Sequence, residues 1–279
     1  MIKIVSDTTS CISTADAKHM GIGYLPQIIV FGTESYRDDY ELTTEQFLTK
    51  LKASATLPKT AAPAPALYTP IYEEFAANGN TVIVLCPSKE VSGTYRSATV
   101  AAQEFPTADI RVIDTFTVGP ALGTLVKMSL EWAEQGVDAD AIVERILEKG
   151  KGVRIYFYVE TLEYLYKGGR IGAASALMGS LLQVKPILQF AEGKIQPYET
   201  QRTKKRAIAR LVEIIKAECP KCDTSCLALL ESDAMETANA LGKDFENHFG
   251  CDKIEIFDLP PAIVVHAGPG VIAASFFTK

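Results

Sequence analysis

Histidine is scarce in this chain: 279 residues include three, His19, His248 and His266. His19 and His248 lie in segments that read as polar helix, so His266 is the imidazole that invites a chemical reading. The chain has no G-x-x-x-x-G-K-[ST] phosphate loop, no G-x-S-x-G nucleophile elbow and no H-E-x-x-H zinc helix. The sharpest sequence marks of NTPases, α/β-hydrolases and zinc peptidases are therefore missing. Excess positive charge is missing as well. With Lys+Arg 28 against Asp+Glu 34 the net charge is −6, which argues against a nucleic-acid partner. The longest charge-free apolar stretch, residues 259–278, is broken by Pro260, Pro261 and Pro269; it makes a poor membrane span, and the chain is not expected to cross one. The start, Met1-Ile2-Lys3-Ile4-Val5-Ser6-Asp7, reads as a short strand followed by an acid rather than a signal peptide. A cytoplasmic protein is expected.

What is present is a set of turns where chemistry could be placed. His266-Ala267-Gly268-Pro269-Gly270 follows the apolar run Ala262-Ile263-Val264-Val265, which reads as a buried strand. His266 is then expected at a strand end, where α/β proteins commonly meet ligands; an ordinary strand-end histidine above a turn is the plainer alternative. Ser88-Lys89-Glu90-Val91-Ser92-Gly93-Thr94-Tyr95 follows a β-branched run, residues 81–86, and precedes a helix over 92–104. Ser92 is expected as the N-cap, beside free N–H groups and the positive end of the helix dipole, an arrangement that seats anions or merely caps a helix. Leu162-Glu163-Tyr164-Leu165-Tyr166-Lys167-Gly168-Gly169-Arg170 reads as a short helix ending at the two glycines, with Arg170 projected from the turn. That is either a cation near a helix C-terminus or an arginine poised for an oxyanion or a partner's carboxylate.

Taken together, Ser6-Asp7-Thr8-Thr9-Ser10, Pro58-Lys59-Thr60-Ala61-Ala62-Pro63, Val91-Ser92-Gly93-Thr94-Tyr95-Arg96-Ser97-Ala98, Leu165-Tyr166-Lys167-Gly168-Gly169-Arg170-Ile171, Lys185-Pro186-Ile187-Leu188 and His266-Ala267-Gly268-Pro269-Gly270 resemble the DegV family, in the same order. The likeness spans nearly the whole chain, from residue 2 to beyond 270. It implies a bacterial fatty-acid-binding protein, and some members present the acyl chain to a separate fatty acid kinase. The implied ligand is a long-chain fatty acid, with Thr60, Ser92 and His266 at the head group and Arg170 contacting the kinase or the incoming phosphoryl group. No cofactor, no metal and no catalytic residue is implied.

Strands expected over 2–5, 28–31, 81–86 and 110–113 alternate with helices over 47–53, 66–77, 92–104 and 119–135, which calls for a parallel sheet covered on both faces. Residues 59–70 hold Pro63, Pro65 and Pro70 and read as a loop or crossover. Gly150-Lys151-Gly152 marks a boundary. Strands over 155–159, 187–190, 195–198, 227–230, 254–257 and 263–265 follow it, with a hairpin turning at Ala191-Glu192-Gly193. The expected fold is α/β in two domains: residues 1–150, an N-terminal parallel sheet that binds the lipid, and 151–279, a C-terminal α+β domain with a mixed sheet that closes the head-group site. Of the six cysteines, Cys219 and Cys222 have zinc-like spacing. The second C-x-x-C is lacking, and Cys226 is expected to face a core, so free thiols are the better reading.

The chemistry of a fatty acid suits these residues. Each CH₂ taken out of water gains about 0.8 kcal/mol, so about fourteen give up to about 11 kcal/mol. A hydrogen bond to the charged head nets about 1.5–3 kcal/mol, so the tail supplies most of the affinity and the head contacts fix direction. Neutral hydroxyls such as Thr60 and Ser92 leave the carboxylate freer to react than a bidentate arginine would. The family commonly has Thr-Ser-Gln-Pro-Ser where this chain has Thr60-Ala61-Ala62-Pro63-Ala64; two hydroxyls and an amide are absent, so a simpler or wetter head-group site is expected. Two rival readings stand beside this one. One is a phosphoryl-transfer or hydrolytic enzyme using His266 with Asp114 or Asp7 in an interdomain cleft. The other is a nucleotide-binding regulator using Arg202, Lys204, Lys205, Arg206 and Arg210, which read equally as the solvated start of a helix.

Overall fold

The structure is a computed structural model that describes residues 1–180, 184–220 and 225–278. The chain divides into two compact units, Met1–Thr43 with Pro58–Lys151 and Thr44–Leu57 with Gly152–Lys279. The helix expected over 47–53 forms as Thr44–Ala53 and belongs to the second unit.

In the first unit the strands are β1 (Ile2–Asp7), β2 (Gly23–Leu25), β3 (Ile28–Phe31), β4 (Glu34–Arg37), β5 (Lys59–Ala61), β6 (Thr81–Cys86) and β7 (Ile110–Asp114). Its helices are a short α1 (Thr14–His19), α3 (Pro65–Ala76), α4 (Thr94–Ala102), α5 (Pro120–Glu134) and α6 (Ala139–Lys151), while α2 (Thr44–Ala53), between β4 and β5 in the chain, belongs to the second unit. A parallel sheet runs in the order β2-β1-β6-β7. Successive strand side chains point to opposite faces. Val5, Val82, Val84 and Cys86 pack against Tyr68, Tyr72 and Phe75 of α3 and Ala98 and Ala101 of α4. The alternate residues Ile4, Ile83 and Leu85 are buried too, on the side where α5 and α6 lie. A strand covered on both faces has no polar positions to spare, which is why 81–86 reads as a continuous apolar run.

Three expectations for this unit are corrected. Residues 28–31 do form a strand, but in a separate antiparallel sheet of order β4-β3-β5. The cause is the two-residue loop Gly32-Thr33: Gly32 has φ +60°, and a positive-φ glycine at the first loop position folds the chain into a hairpin instead of a crossover. The 59–70 segment is not loop throughout. Thr60 sits in β5, opposite Ile29, and α3 starts with Pro65 in its first turn and carries Pro70 within it; proline is well tolerated in a first turn because its missing N–H has no helical partner there. Finally, α6 forms over a segment for which the sequence reading gives no element.

The second unit holds β8 (Val153–Tyr158), β9 (Lys185–Ala191), β10 (Lys194–Gln201), β11 (Ala228–Ser232), β12 (Glu255–Asp258) and β13 (Val271–Phe277), with α7 (Glu163–Lys167), α8 (Lys204–Glu218), α9 (Met235–Phe249) and α10 (Pro261–Ala267). Its mixed sheet has the order β10-β9-β8-β13-β11-β12, antiparallel except for the β11–β12 pair. The hairpin of β9 and β10 turns as expected on Glu192 and Gly193, both at positive φ. Tyr156, Tyr158, Leu229, Ile272, Ala274 and Phe276 of the sheet form one core with Ala207, Leu211, Ile214 and Ile215 of α8 and Ala238, Leu241 and Phe245 of α9.

The strand expected over 263–265 is instead α10. Pro260 is its N-cap, Pro261 lies in its first turn, and Gly268 ends it at φ +79°. A short apolar run fits a buried strand or a buried helix equally, and the flanking prolines and glycine decide it. Cys226, expected in the core, is exposed; it sits at φ 46° just before the sheet, and burial begins at Leu227. Cys222 lies outside the described residues. Among those described, no helix is long and apolar enough to cross a membrane.

Candidate functional site

The C-terminal end of β1 builds a hydrogen-bonded hub. Asp7 is buried at 1% exposure and caps the short turn Thr8–Ser10, its Oδ1 accepting from the Thr9 N–H at 2.9 Å and from the Thr9 hydroxyl. Its Oδ2 accepts from Gln27 Nε2 at 2.7 Å and from Thr94 Oγ1 at 2.9 Å. Gln27 Nε2 also donates to Thr94 Oγ1 at 2.8 Å. Beside them the Gln27 backbone N–H donates to Thr8 Oγ1 at 3.0 Å, and Thr8 Oγ1 donates to Asp38 Oδ2 at 3.1 Å. Burial pushes the Asp7 carboxyl above its ordinary value, against the pull of its bonds to Thr9, Thr94 and Gln27.

Ser92 lies one step outward. Its Oγ is 3.0 Å from Thr94 Oγ1 and accepts the Thr94 N–H at 3.3 Å. The N-cap of α4 is Gly93, not Ser92, and α4 begins at Thr94; the serine oxygen still reaches a first-turn N–H, from one residue further back. The backbone at Gly93 approaches the Thr60–Ala64 segment so closely that a Cβ there would meet the Cβ of Ala62 at 3.4 Å. The first unit therefore brings the Ser92 turn and the segment that follows Thr60 together. Ala64 is the N-cap of α3 and has no side-chain cap. A hydroxyl at that position would be in capping position for α3, where a Ser-to-Ala change costs about 1 kcal/mol. Close by in the core, Tyr68 Oη is buried with no hydrogen-bond partner among the described residues, within electrostatic reach of Asp7 and Cys86.

The second unit carries His266 and Arg170 together. His266 lies in the last turn of α10, which packs on α7. A Cβ at Gly168 would stand 2.2 Å from His266 Nδ1; glycine is required there because the imidazole occupies that space. Gly169, at φ +71°, turns the chain back. Arg170 is less free than its sequence suggested: its N–H donates to Leu165 O at 2.9 Å and its Nη1 to Gly168 O at 2.6 Å. The Tyr164 ring closes the other side, 2.5 Å from where a Gly268 Cβ would be. Burial first and the Arg170 charge second hold His266 down at about 4, so the imidazole is neutral near pH 7. Sequence reasoning does not find Gly168, Tyr164 and Gly268 as shapers of this corner; the Gly168-Gly169 pair and the Gly268-Pro269-Gly270 turn carry the only local signal.

The rival readings lose ground at particular residues. Lys204 pairs with Glu160, and Arg210 with Glu199 and Glu213, so two members of the basic cluster already serve carboxylates. Asp7 is occupied as described, and Asp114 accepts from the Phe116 N–H at 3.0 Å with Lys89 Nζ at 3.6 Å. Among the described residues no group of three or more His, Cys, Asp or Glu side chains is placed to hold a metal ion.

A family model described as "Uncharacterised protein, DegV family" matches residues 1–279. A DegV domain-containing protein of Halalkalibacterium halodurans is 31% identical over 279 residues, covering 100% of this chain and 99% of that one. Two solved structures are similar over 100% of this chain and 99% of theirs. One is described as fatty acid binding of a DegV family protein from Thermus thermophilus, at TM-score 0.91 and 28% identity. The other is a fatty acid binding DegV family protein from Streptococcus agalactiae, at TM-score 0.90 and 31% identity.

Proposed function

This chain belongs to the DegV family, and from that premise we propose that it binds a long-chain fatty acid in an apolar tunnel of its first unit and presents the carboxylate to a fatty acid kinase in the cytoplasm. The observation that carries the reading is the full-length likeness to two structures described as fatty acid binding, at 28% and 31% identity. The close approach of the Ser92 turn to the Thr60–Ala64 segment supports Thr60 and Ser92 as neutral head-group donors. The neutral His266 and the half-buried Arg170 lie beside one another in the second unit, which supports the kinase-facing role for this pair. We read the chain as a carrier with no turnover of its own. The test is a solvent extract of the purified protein analysed by mass spectrometry, followed by calorimetry of the delipidated protein. A co-purified fatty acid and micromolar binding are expected, weakened by roughly tenfold in Ser92→Ala, the equivalent of one hydrogen bond to a charged group. Delipidated protein that binds no fatty acid sinks the reading.

A further inference from the structure

We propose that capture of a carboxylate head group at Ser92 is coupled to uptake of a proton by Asp7, with the Thr94 hydroxyl reversing its direction between them. This rests on the reading of Ser92 as a head-group donor.

Asp7 accepts from Thr9 N, Thr9 Oγ1, Gln27 Nε2 and Thr94 Oγ1, which fills the lone-pair sites of an ionised carboxylate. In that state the Thr94 hydrogen points at Asp7. Thr94 Oγ1 is then an acceptor toward both Gln27 Nε2 and Ser92 Oγ, so the Ser92 hydrogen points inward at Thr94. The outward side of Ser92 Oγ carries lone pairs alone. That is the wrong polarity for a carboxylate, whose oxygens also only accept. Ser92 could turn its hydrogen to the ligand, but two hydroxyl oxygens 3.0 Å apart would then face each other with no hydrogen between them.

One added proton corrects the polarity of the whole chain. A proton arriving at Ser92 Oγ displaces the serine hydrogen to Thr94, and the Thr94 hydrogen passes to Asp7 Oδ2. Three groups have each gained one O–H bond or exchanged one, and the net change is a neutral Asp7. Asp7 now donates to Thr94, Thr94 to Ser92, and Ser92 outward to the ligand. Thr94 is the member that can reverse, since an N–H donor such as that of Gln27 or Thr9 cannot. Ser92 is only partly buried, so the outer end of the chain is reachable. The immediate partners of Asp7 are all neutral. The titratable groups that feel its charge are Tyr24 on β2, Tyr68 on α3 and Cys86 on β6, each raised first by burial and so neutral near pH 7. The charged neighbours beyond them are Asp38, bonded through Thr8, and Asp114, which acts on Cys86 and faces Lys89. An acyl carboxylate would thus join two acids in a buried neighbourhood, where adding negative charge favours protonation.

The experiment is calorimetry of the delipidated full chain with decanoate and with decanesulfonate, each in two buffers of different ionisation enthalpy, between pH 6 and 8.5. The sulfonate cannot take up a proton in this range, so uptake seen with it belongs to the protein. For wild type we expect uptake approaching about one proton per bound probe, and affinity falling up to about tenfold per pH unit. Thr94→Val should bind without uptake and with flat pH dependence, whereas Thr94→Ser, which keeps the hydroxyl, should restore both. Asp7→Asn offers a fixed N–H donor to Thr94 and should bind without uptake. If that variant does not fold, the Thr94→Val and Thr94→Ser pair decides. Buffer-independent heats in wild type overturn the inference while leaving fatty acid binding intact; so does uptake that persists in Thr94→Val, or uptake with decanoate when bound sulfonate shows none. Failure of wild type to bind either probe overturns the inference and the fatty-acid reading together.

Discussion

At the residue scale the informative group is the His266 imidazole. Its neutrality has two physical causes of unequal weight, burial first and the neighbouring Arg170 charge second. Because the folded value, about 4, lies below the ordinary 6.5, the unfolded chain binds more protons between those two values. The stability tied to a neutral imidazole is therefore present above pH 6.5 and lost as the pH falls toward 4. Arg170→Ala should raise the His266 value by relieving the like charge, yet leave it below 6.5 because burial remains. With three histidines in the chain, an NMR titration of the imidazole resonances resolves this directly. An unmoved His266 would show that Arg170 does not act on it, and a full return to 6.5 would show that burial is not the larger cause.

At the element scale the pairing of β11 with β12 sets two acids side by side, Glu231 opposite Asp258. Like charges in adjacent register positions repel, and Glu231 is buried while accepting the Ala234 N–H at 2.7 Å. Burial first, then the hydrogen bond with Asp258, pushes Glu231 up to about 7. Its folded value thus exceeds the ordinary 4.5, and the native state holds the extra proton. Stability should decline as pH rises from about 4.5 to about 7, by on the order of 2–3 kcal/mol. Glu231→Gln should flatten that slope and melt higher than wild type at pH 8; a variant melting curve that tracks wild type across the range refutes the shared-proton account. The strand runs themselves were legible. Residues 81–86 are apolar and β-branched because both faces of β6 are covered, and the β9–β10 hairpin announces itself at Glu192-Gly193. Residues 263–265 look like a strand and form a helix because so short an apolar run carries no period that separates the two. The candidate site was half legible for a related reason. Thr60, Ser92, Arg170 and His266 stand in local motifs, whereas Asp7 meets Gln27 and Thr94 across 20 and 87 positions of chain. No local spacing reveals a hub assembled by the order of strands in a sheet.

At the scale of the whole molecule, the chain leaves its first unit at Thr43 and returns at Pro58. The excursion is α2, and its attachments lie in the second unit. Thr44 Oγ1 donates to Leu259 O at 3.3 Å, Lys52 pairs with Asp233 at 2.7 Å, and α2 packs on α10. Phe47 and Leu51 are buried at 0% and 5% exposure, and burying two side chains of this size is worth about 3–6 kcal/mol. A domain cut made by reading boundaries off the sequence, residues 1–150, would keep α2 but remove what it packs on. That fragment should aggregate through an amphipathic helix with an exposed Phe47–Leu51 stripe. The same fragment with residues 44–57 replaced by fourteen Gly and Ser residues keeps the reach of the segment and loses the stripe. It should remain monomeric, with the α/β circular dichroism of the parallel-sheet unit. Light scattering and dichroism on the two fragments make the comparison. Equal solubility would mean that α2 finds cover within the first unit, and aggregation of both would mean that the parallel-sheet unit does not fold on its own residues alone.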